Sequence, residues 1–336
     1  MRIRKTKAEI EQIEAQIYDV LDEDRPQSVR HIFYRMTDPR LTTPVDKTEH
    51  GYKQVQSRIS IMRRRGDLPY GWITDATRRG FHTETFSSAH DFLERFKYAY
   101  RADLWADNPN YVEVWCESRS IAGVIQRTCE EYAVSLYPAG GFSSLTLIYD
   151  SAQHINTVCG AKEESEISFK SALPLLGSIF GEDFELDDDF DDNEYADAER
   201  TANVIYIGDY DPAGVLIDKS IEKDLRKHLR VPLRFTRLGI NAAQIELYDL
   251  PTKPRKKTDR RVLHIKETVE AEAMPAALLR EMLAGRIKAF IPEDAWDKVQ
   301  VAEESEKMAL DLVGSVLAGE KTGSELEAYM SSRSQL

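Results

Sequence analysis

Apolar positions recur with two periods along the chain, and the change of period divides it. In residues 6–22, Ile10, Ile13, Ile17, Val20 and Leu21 fall on one side of a 3.6-residue repeat, which predicts an amphipathic helix. A second helix is expected to begin near Pro26, a good first-turn residue, and to run through "SVRHIFYRM". Val29, Ile32, Phe33 and Met36 then form its buried stripe. A third helix covers "YKQVQSRISIMRRRG", with Val55, Ile59 and Met62 inward, and stops at Gly66. "DLPYGWITDATRRG" follows, a short apolar piece among turn residues, which suits a β-wing. From residue 111 short apolar runs alternate with helical stretches. "YVEVWC" predicts a strand, "RSIAGVIQRTCEEYA" a helix, and "SLYPA" a strand ending in the turn "GG". A helix from "SSLTLIYDSAQ", the strand "NVIYI" and a helix over "VLIDKSIEKDLRKHL" complete the series. The last forty or so residues are helical by pattern.

Two domains follow. Residues 1–100 carry three helices and a wing, the order of a winged-helix DNA-binding module, whose third helix enters a groove. Residues 101–336 alternate strands and helices, the mark of a parallel, Rossmann-like α/β sheet, with a helical C-terminal extension. The groove-facing side of the third helix would present Arg58, Arg63, Arg64 and Arg65.

Composition narrows the class. The 336 residues are 42% hydrophobic and 31% charged, as in a soluble globular protein. No apolar run reaches membrane-spanning length, and the basic start has no signal-like apolar core, so a cytoplasmic, nucleoid-associated protein without membrane contact is expected. Three cysteines without a CxxC suggest neither a disulfide framework nor zinc. There is no P-loop and no dinucleotide fingerprint, hence no ATP site in this chain. The net charge of −13 is uneven. Residues 182–199 hold eleven acidic and no basic residues, an acidic insertion; setting these aside leaves −2. Residues 28–82 carry eleven Lys or Arg against five Asp or Glu, a local surplus that a phosphate backbone would feel.

The candidate chemistry sits at strand ends, where open parallel sheets bind ligands. Glu117 lies just past "YVEVWC"; Asp209 and Asp211 lie just past "NVIYI" in "VIYIGDYDPAG". Extended backbone points residues i and i+2 the same way, so the two aspartates are expected to project together, facing Glu117 if the strands are neighbours. Such carboxylates stay ionised cheaply around a cation, and oxygen ligands favour Mg²⁺ or Mn²⁺. The competing reading makes the aspartates solvated, with Asp211 a helix cap. In "SVRHIFYRM", Arg30 and Tyr34 are one turn apart. Tyr34 is expected to turn its hydroxyl outward beside the guanidinium, as a nucleophile with an oxyanion partner, or else to be a boundary tyrosine. His31 is expected to be a satisfied surface histidine. "PTKPRKKTDRR" offers Lys253, Arg255, Lys256 and Lys257, and "DATRRG" offers Arg78 and Arg79, as contacts to a DNA backbone.

"VEVWCES", "GGFSS" and "YIGDYDPAG" together resemble a Toprim domain, the metal-binding fold of topoisomerases and related nucleases. "SVRHIFYRM" resembles the tyrosine-bearing helix of the topoisomerase VI A subunit and of Spo11-like proteins, and "TVEAEAMP" resembles the late acidic strand of that family. The winged helix before the Toprim domain matches the same order, over roughly residues 26–290. The resemblance implies a minimal stand-alone A-type protein that cleaves double-stranded DNA in the type IIB manner. Tyr34 would form a 5′-phosphotyrosyl link, helped by Arg30, and Glu117, Asp209 and Asp211 would hold Mg²⁺. In that family the tyrosine of one subunit works with the metal site of another, so a homodimer is implied. A separate ATPase subunit is a further possible partner. His31 stands where the family commonly has an acid, and the acidic insertion is outside its pattern. Two other classes stay open: a metal-dependent hydrolytic nuclease of a bacterial defence, plasmid or phage system, and a catalytically inactive DNA-binding protein.

Overall fold

The computed structural model describes residues 6–74, 83, 85–106, 108–141, 143–161, 200–255, 262 and 265–333. Arg78, Arg79, Lys256, Lys257 and the acidic stretch 182–199 lie outside the described residues. Along the chain the helices are α1 (Lys7–Glu23), α2 (Val29–Met36), α3 (Glu49–Arg65), α4 (Ala89–Phe96), α5 (Arg119–Glu131) and α6 (Leu145–Val158). They continue with α7 (Gly214–Arg226), α8 (Ala242–Leu247), α9 (Ala276–Lys288), α10 (Ala295–Leu317) and α11 (Gly323–Arg333). The strands are β1 (Gln27–Ser28), β2 (Ile73–Thr74), β3 (Asn110–Cys116), β4 (Ser135–Pro138), β5 (Thr201–Ile207), β6 (Leu233–Gly239), β7 (Lys253–Pro254) and β8 (Glu267–Thr268). Among the described residues no helix is long and apolar enough to cross a membrane.

Two compact units form, Met1–Arg78 with Pro109–Lys288, and Arg79–Asn108 with Ala289–Leu336. This division differs from the boundary expected at residue 100. The N-terminal helices share a core with the sheet: α2 packs on the 3-10 turn Ala271–Ala273, and α5 packs on both β1 and β2. Composition records how a segment is built, and only long-range contacts decide what it joins.

In the first unit the helix ends follow capping chemistry. Thr6 and Glu9 form a capping box at the start of α1, and Thr48 accepts from the Gly51 N–H at the start of α3. Gly66 closes α3 at φ 85°, a left-handed conformation that glycine adopts without a Cβ clash. The second helix begins later than Pro26 suggests. Gln27 and Ser28 form β1, paired in parallel with Ile73 and Thr74, and Ser28 becomes the cap of α2. The expected wing is seen as β2 alone among the described residues, preceded by the 3-10 turn Tyr70–Trp72.

The main sheet runs β4-β3-β5-β6 with every pairing parallel, so the chain is mixed α/β with a Rossmann-like parallel layer. Cys116 on β3 is level with Ile207 on β5, which brings the two strand ends together. One face buries Trp115, Val204 and Tyr206 against Ile148, Ile155, Ile217 and Ile221 of α6 and α7. Within that face sits Glu113, wholly buried. Its carboxylate accepts from the Trp115 Nε1–H (2.9 Å), the Ser151 hydroxyl (3.0 Å) and the Tyr111 hydroxyl (3.0 Å). Burial raises its pKa, against the pull of those three bonds.

In the second unit α4 packs on α10. Lys97 pairs with Asp311 (2.7 Å), His90 Nδ1 lies 3.0 Å from the Gly314 carbonyl oxygen, and the rings of Phe86, Phe92 and Phe96 cluster with centroids 5.0–5.5 Å apart.

Glu113 generates a stability prediction. Glu113→Ala strands two buried donors, Trp115 and Ser151, and the half-buried Tyr111, and should lower the unfolding free energy by ~3 kcal/mol. Glu113→Gln keeps the size and one acceptor and should lose clearly less. Urea unfolding midpoints of the two variants check both outcomes.

Candidate functional site

The loop after β5 is shaped by two close approaches. A Cβ on Gly208 would lie 2.7 Å from the Tyr206 ring and 2.9 Å from Glu117 Oε2; a Cβ on Gly214 would lie 2.2 Å from the Asp209 carbonyl oxygen. The glycines of "IGDYDPAG" are therefore steric requirements of a chain folded tightly over the end of β3. Arg237 on β6 donates to the Gly208 carbonyl oxygen (3.1 Å) and pairs with Asp218 (2.7 Å), fixing the loop from the other side.

Within this loop the aspartates take different backbone partners. Glu117 Oε2 accepts from the Asp209 N–H (2.9 Å), and Asp209 Oδ1 accepts from the Ala271 N–H (2.8 Å). Asp211 Oδ1 accepts from the N–H groups of Ala213 (2.8 Å) and Gly214 (2.6 Å) and opens α7. β5 ends at Ile207, and Tyr210 pairs its backbone with Val269 (N–H to O 2.8 and 2.9 Å).

That pairing brings a further pair of acids to the site. Glu272 is buried, with the Ser118 hydroxyl 3.3 Å from its carboxylate, and Glu270 lies two residues earlier. The Asp209 carboxyl is raised well above its usual range by burial and by Glu117, Glu272 and Glu270. Glu117 is raised by burial and by Asp211 and Glu272, and Glu272 by burial and Glu270. Among the described residues, no three His, Cys, Asp or Glu side chains stand as a ready-made metal cage. In chemical type, though not as an assembled cage, the donors suit a hard divalent ion. Glu117, Asp209 and Asp211 offer oxygen alone, each accepts from backbone N–H through one oxygen, and the repulsion between carboxylates is what a cation relieves.

Tyr34 occupies the opposite charge environment. Its side chain is 6% exposed, which corrects the expectation of an outward hydroxyl: residues 31–34 of α2 are all buried. Lys253 and Lys47 lie over its ring, 5.3 and 5.6 Å from the centroid. The enclosed hydroxyl faces Glu270 without a hydrogen bond of normal geometry, and burial together with Glu270 raises its pKa. Glu270 in turn is held by Arg30 and by Lys253 Nζ (2.9 Å), which bring its pKa below the usual value despite burial. Lys47 donates to the Thr252 carbonyl oxygen (2.7 Å); burial and Lys253 lower its amine to about 8. Arg30, Lys47, Lys253, Thr48 and Tyr52 line a cavity of about 280 Å³.

Other predicted contacts are dispersed. Arg58 and Arg65 pair with Glu14 (3.6 and 2.7 Å), so Arg58 is half-buried instead of turned outward. Arg63 lies over the Tyr70 ring at 4.4 Å, and Arg64 is exposed. Arg255 joins its backbone N–H to the Lys266 carbonyl oxygen (2.9 Å), while its Nη1 is buried without a partner among the described residues. Sequence reasoning missed Lys47, Arg237, Glu270 and Glu272 as site residues. The acidic "VEAE" stretch was the available signal for the glutamates; Lys47 sits in an unpatterned loop.

No family model matches the chain, and neither a curated protein nor a solved structure shows significant similarity to it. Motif and geometry therefore carry the functional reading.

His31 is buried and corrects its expected surface position; the Ser28 hydroxyl is 2.8 Å from Nδ1. Burial and the nearby Arg280 hold its pKa at about 3, against 6.5 for a free histidine. The folded state thus binds fewer protons than the unfolded state between these values. Its stability contribution is intact above pH 6.5 and is lost as pH falls toward 3. Lowering the pH from 6.5 to 5 should cost about 2 kcal/mol, and His31→Met should flatten that part of the profile, read from unfolding curves across pH.

Proposed function

We propose that the chain cleaves double-stranded DNA by attack on a backbone phosphodiester, with Tyr34 as nucleophile and a divalent cation held by Glu117, Asp209 and Asp211. The observation that carries this reading is the segment Glu270–Glu272. Its middle N–H bonds Asp209, while Glu270 holds Arg30 and Lys253 beside Tyr34. One short stretch thus joins a carboxylate cluster to a tyrosine set among cations, within one compact unit.

The chemistry follows from these roles. The Tyr34 phenol oxygen bonds to phosphorus, the phosphorus–O3′ bond breaks, and the phenol proton leaves as the 3′-oxygen gains one. The product is a 5′-phosphotyrosyl link and a free 3′-hydroxyl. Arg30 neutralises a non-bridging oxygen as charge develops. A bound Mg²⁺ or Mn²⁺ supplies charge neutralisation at the phosphate. Cutting both strands takes two such centres, hence a homodimer. The motif resemblance to the topoisomerase VI A subunit supports the same assignment.

A second reading is hydrolysis, with water as nucleophile and Tyr34 structural. The enclosed Tyr34 hydroxyl favours it.

Denaturing supercoiled plasmid after incubation with protein and Mg²⁺ separates the two. Transesterification predicts protein covalently attached to 5′ ends, and loss of cutting by about a hundredfold or more in Tyr34→Phe. Protein-free 5′ phosphates made by an active Tyr34→Phe variant would establish hydrolysis. Asp209→Asn should abolish cutting under either reading.

A further inference from the structure

Glu270 stands at the centre of a basic cavity. Two cations hold its carboxylate, Arg30 and Lys253. A third, Lys47, donates to the Thr252 carbonyl oxygen and makes no ion pair among the described residues. The cavity of about 280 Å³ is open to receive a small group, and Thr48 and Tyr52 add hydroxyls to its lining. Glu49 also lines it but is drawn to Lys53, at 3.5 Å. Three cations face one bridging carboxylate, and that carboxylate is partly exposed to solvent.

A carboxylate bound by a guanidinium and an ammonium presents two anionic oxygens to them. A phosphodiester presents two non-bridging oxygens of similar reach, and a guanidinium takes either in a forked geometry. We propose that this cavity is a phosphate seat, formed by Arg30, Lys47 and Lys253, and that Glu270 occupies it as a resident counterion until a phosphate displaces it. The exchange also withdraws Glu270 from the Tyr34 hydroxyl, so phosphate entry and uncovering of the tyrosine are one event. Calling the incoming group a DNA phosphate rests on the cleavage reading above; the seat itself does not.

The test uses the full chain without divalent metal and inorganic pyrophosphate as probe, followed by calorimetry. Glu270→Gln removes the competing charge and should bind pyrophosphate about tenfold tighter than the wild type. Lys47→Met should bind it severalfold more weakly, and the double variant should lose most of the gain. Thermal melting confirms that each variant is folded. For a short DNA duplex, Glu270→Gln should steepen the salt dependence of binding by about one released counterion. Folded Glu270→Gln with unchanged or weaker pyrophosphate affinity overturns the proposal, as does a Lys47→Met variant that binds like the wild type. The two readings fail separately. Tighter pyrophosphate binding by Glu270→Gln in a protein that never cuts DNA sustains the seat and sinks the cleavage reading. DNA cutting by the wild type, with pyrophosphate affinity indifferent to Glu270, does the reverse.

Discussion

The site depends on one short backbone pairing. Tyr210 and Val269 exchange N–H···O bonds, and Asp209 adds a side-chain bond to Ala271. These contacts dock Glu267–Ala273 across the carboxyl ends of β3 and β5. Without them Glu270 and Glu272 would have no reason to lie near Asp209, and Arg30 would lose its partner Glu270. Backbone bonds suit this task because they fix register independently of side-chain identity. The charges can then be chosen for chemistry.

Two clusters of opposite sign consequently share one segment. Carboxylates gather where β3 and β5 end, and burial, reinforced by their mutual repulsion, raises Asp209 and Glu117. Cations gather around Tyr34, and burial together with Lys253 lowers Lys47. Glu270 touches the second cluster directly and the first through its field.

Much of the scaffold was legible in the sequence, because it is written in local rules. The apolar runs Val112–Cys116 and Val204–Ile207 are buried strands, and Gly66 ends a helix. The strand-end positions of Glu117, Asp209 and Asp211 followed from the same reading. What was not legible depends on contacts far apart in sequence. The stripe of α2 predicted one buried face, but Glu270, some 240 positions away, covers a second face and encloses Tyr34. Arg58 was read as outward because nothing local reveals Glu14.

The second unit draws its two parts from either side of the first unit's sheet-bearing segment. During synthesis Arg79–Asn108 leaves the ribosome early, while its partner Ala289–Leu336 emerges only after all of Pro109–Lys288. The N-terminal portion therefore passes through translation without α10, the helix on which α4 packs, whereas the parallel sheet has everything it requires beforehand. The order of assembly is thus imposed by connectivity: sheet first, second unit last. The interval between them is when the nascent chain is most exposed to mispairing with other apolar surfaces.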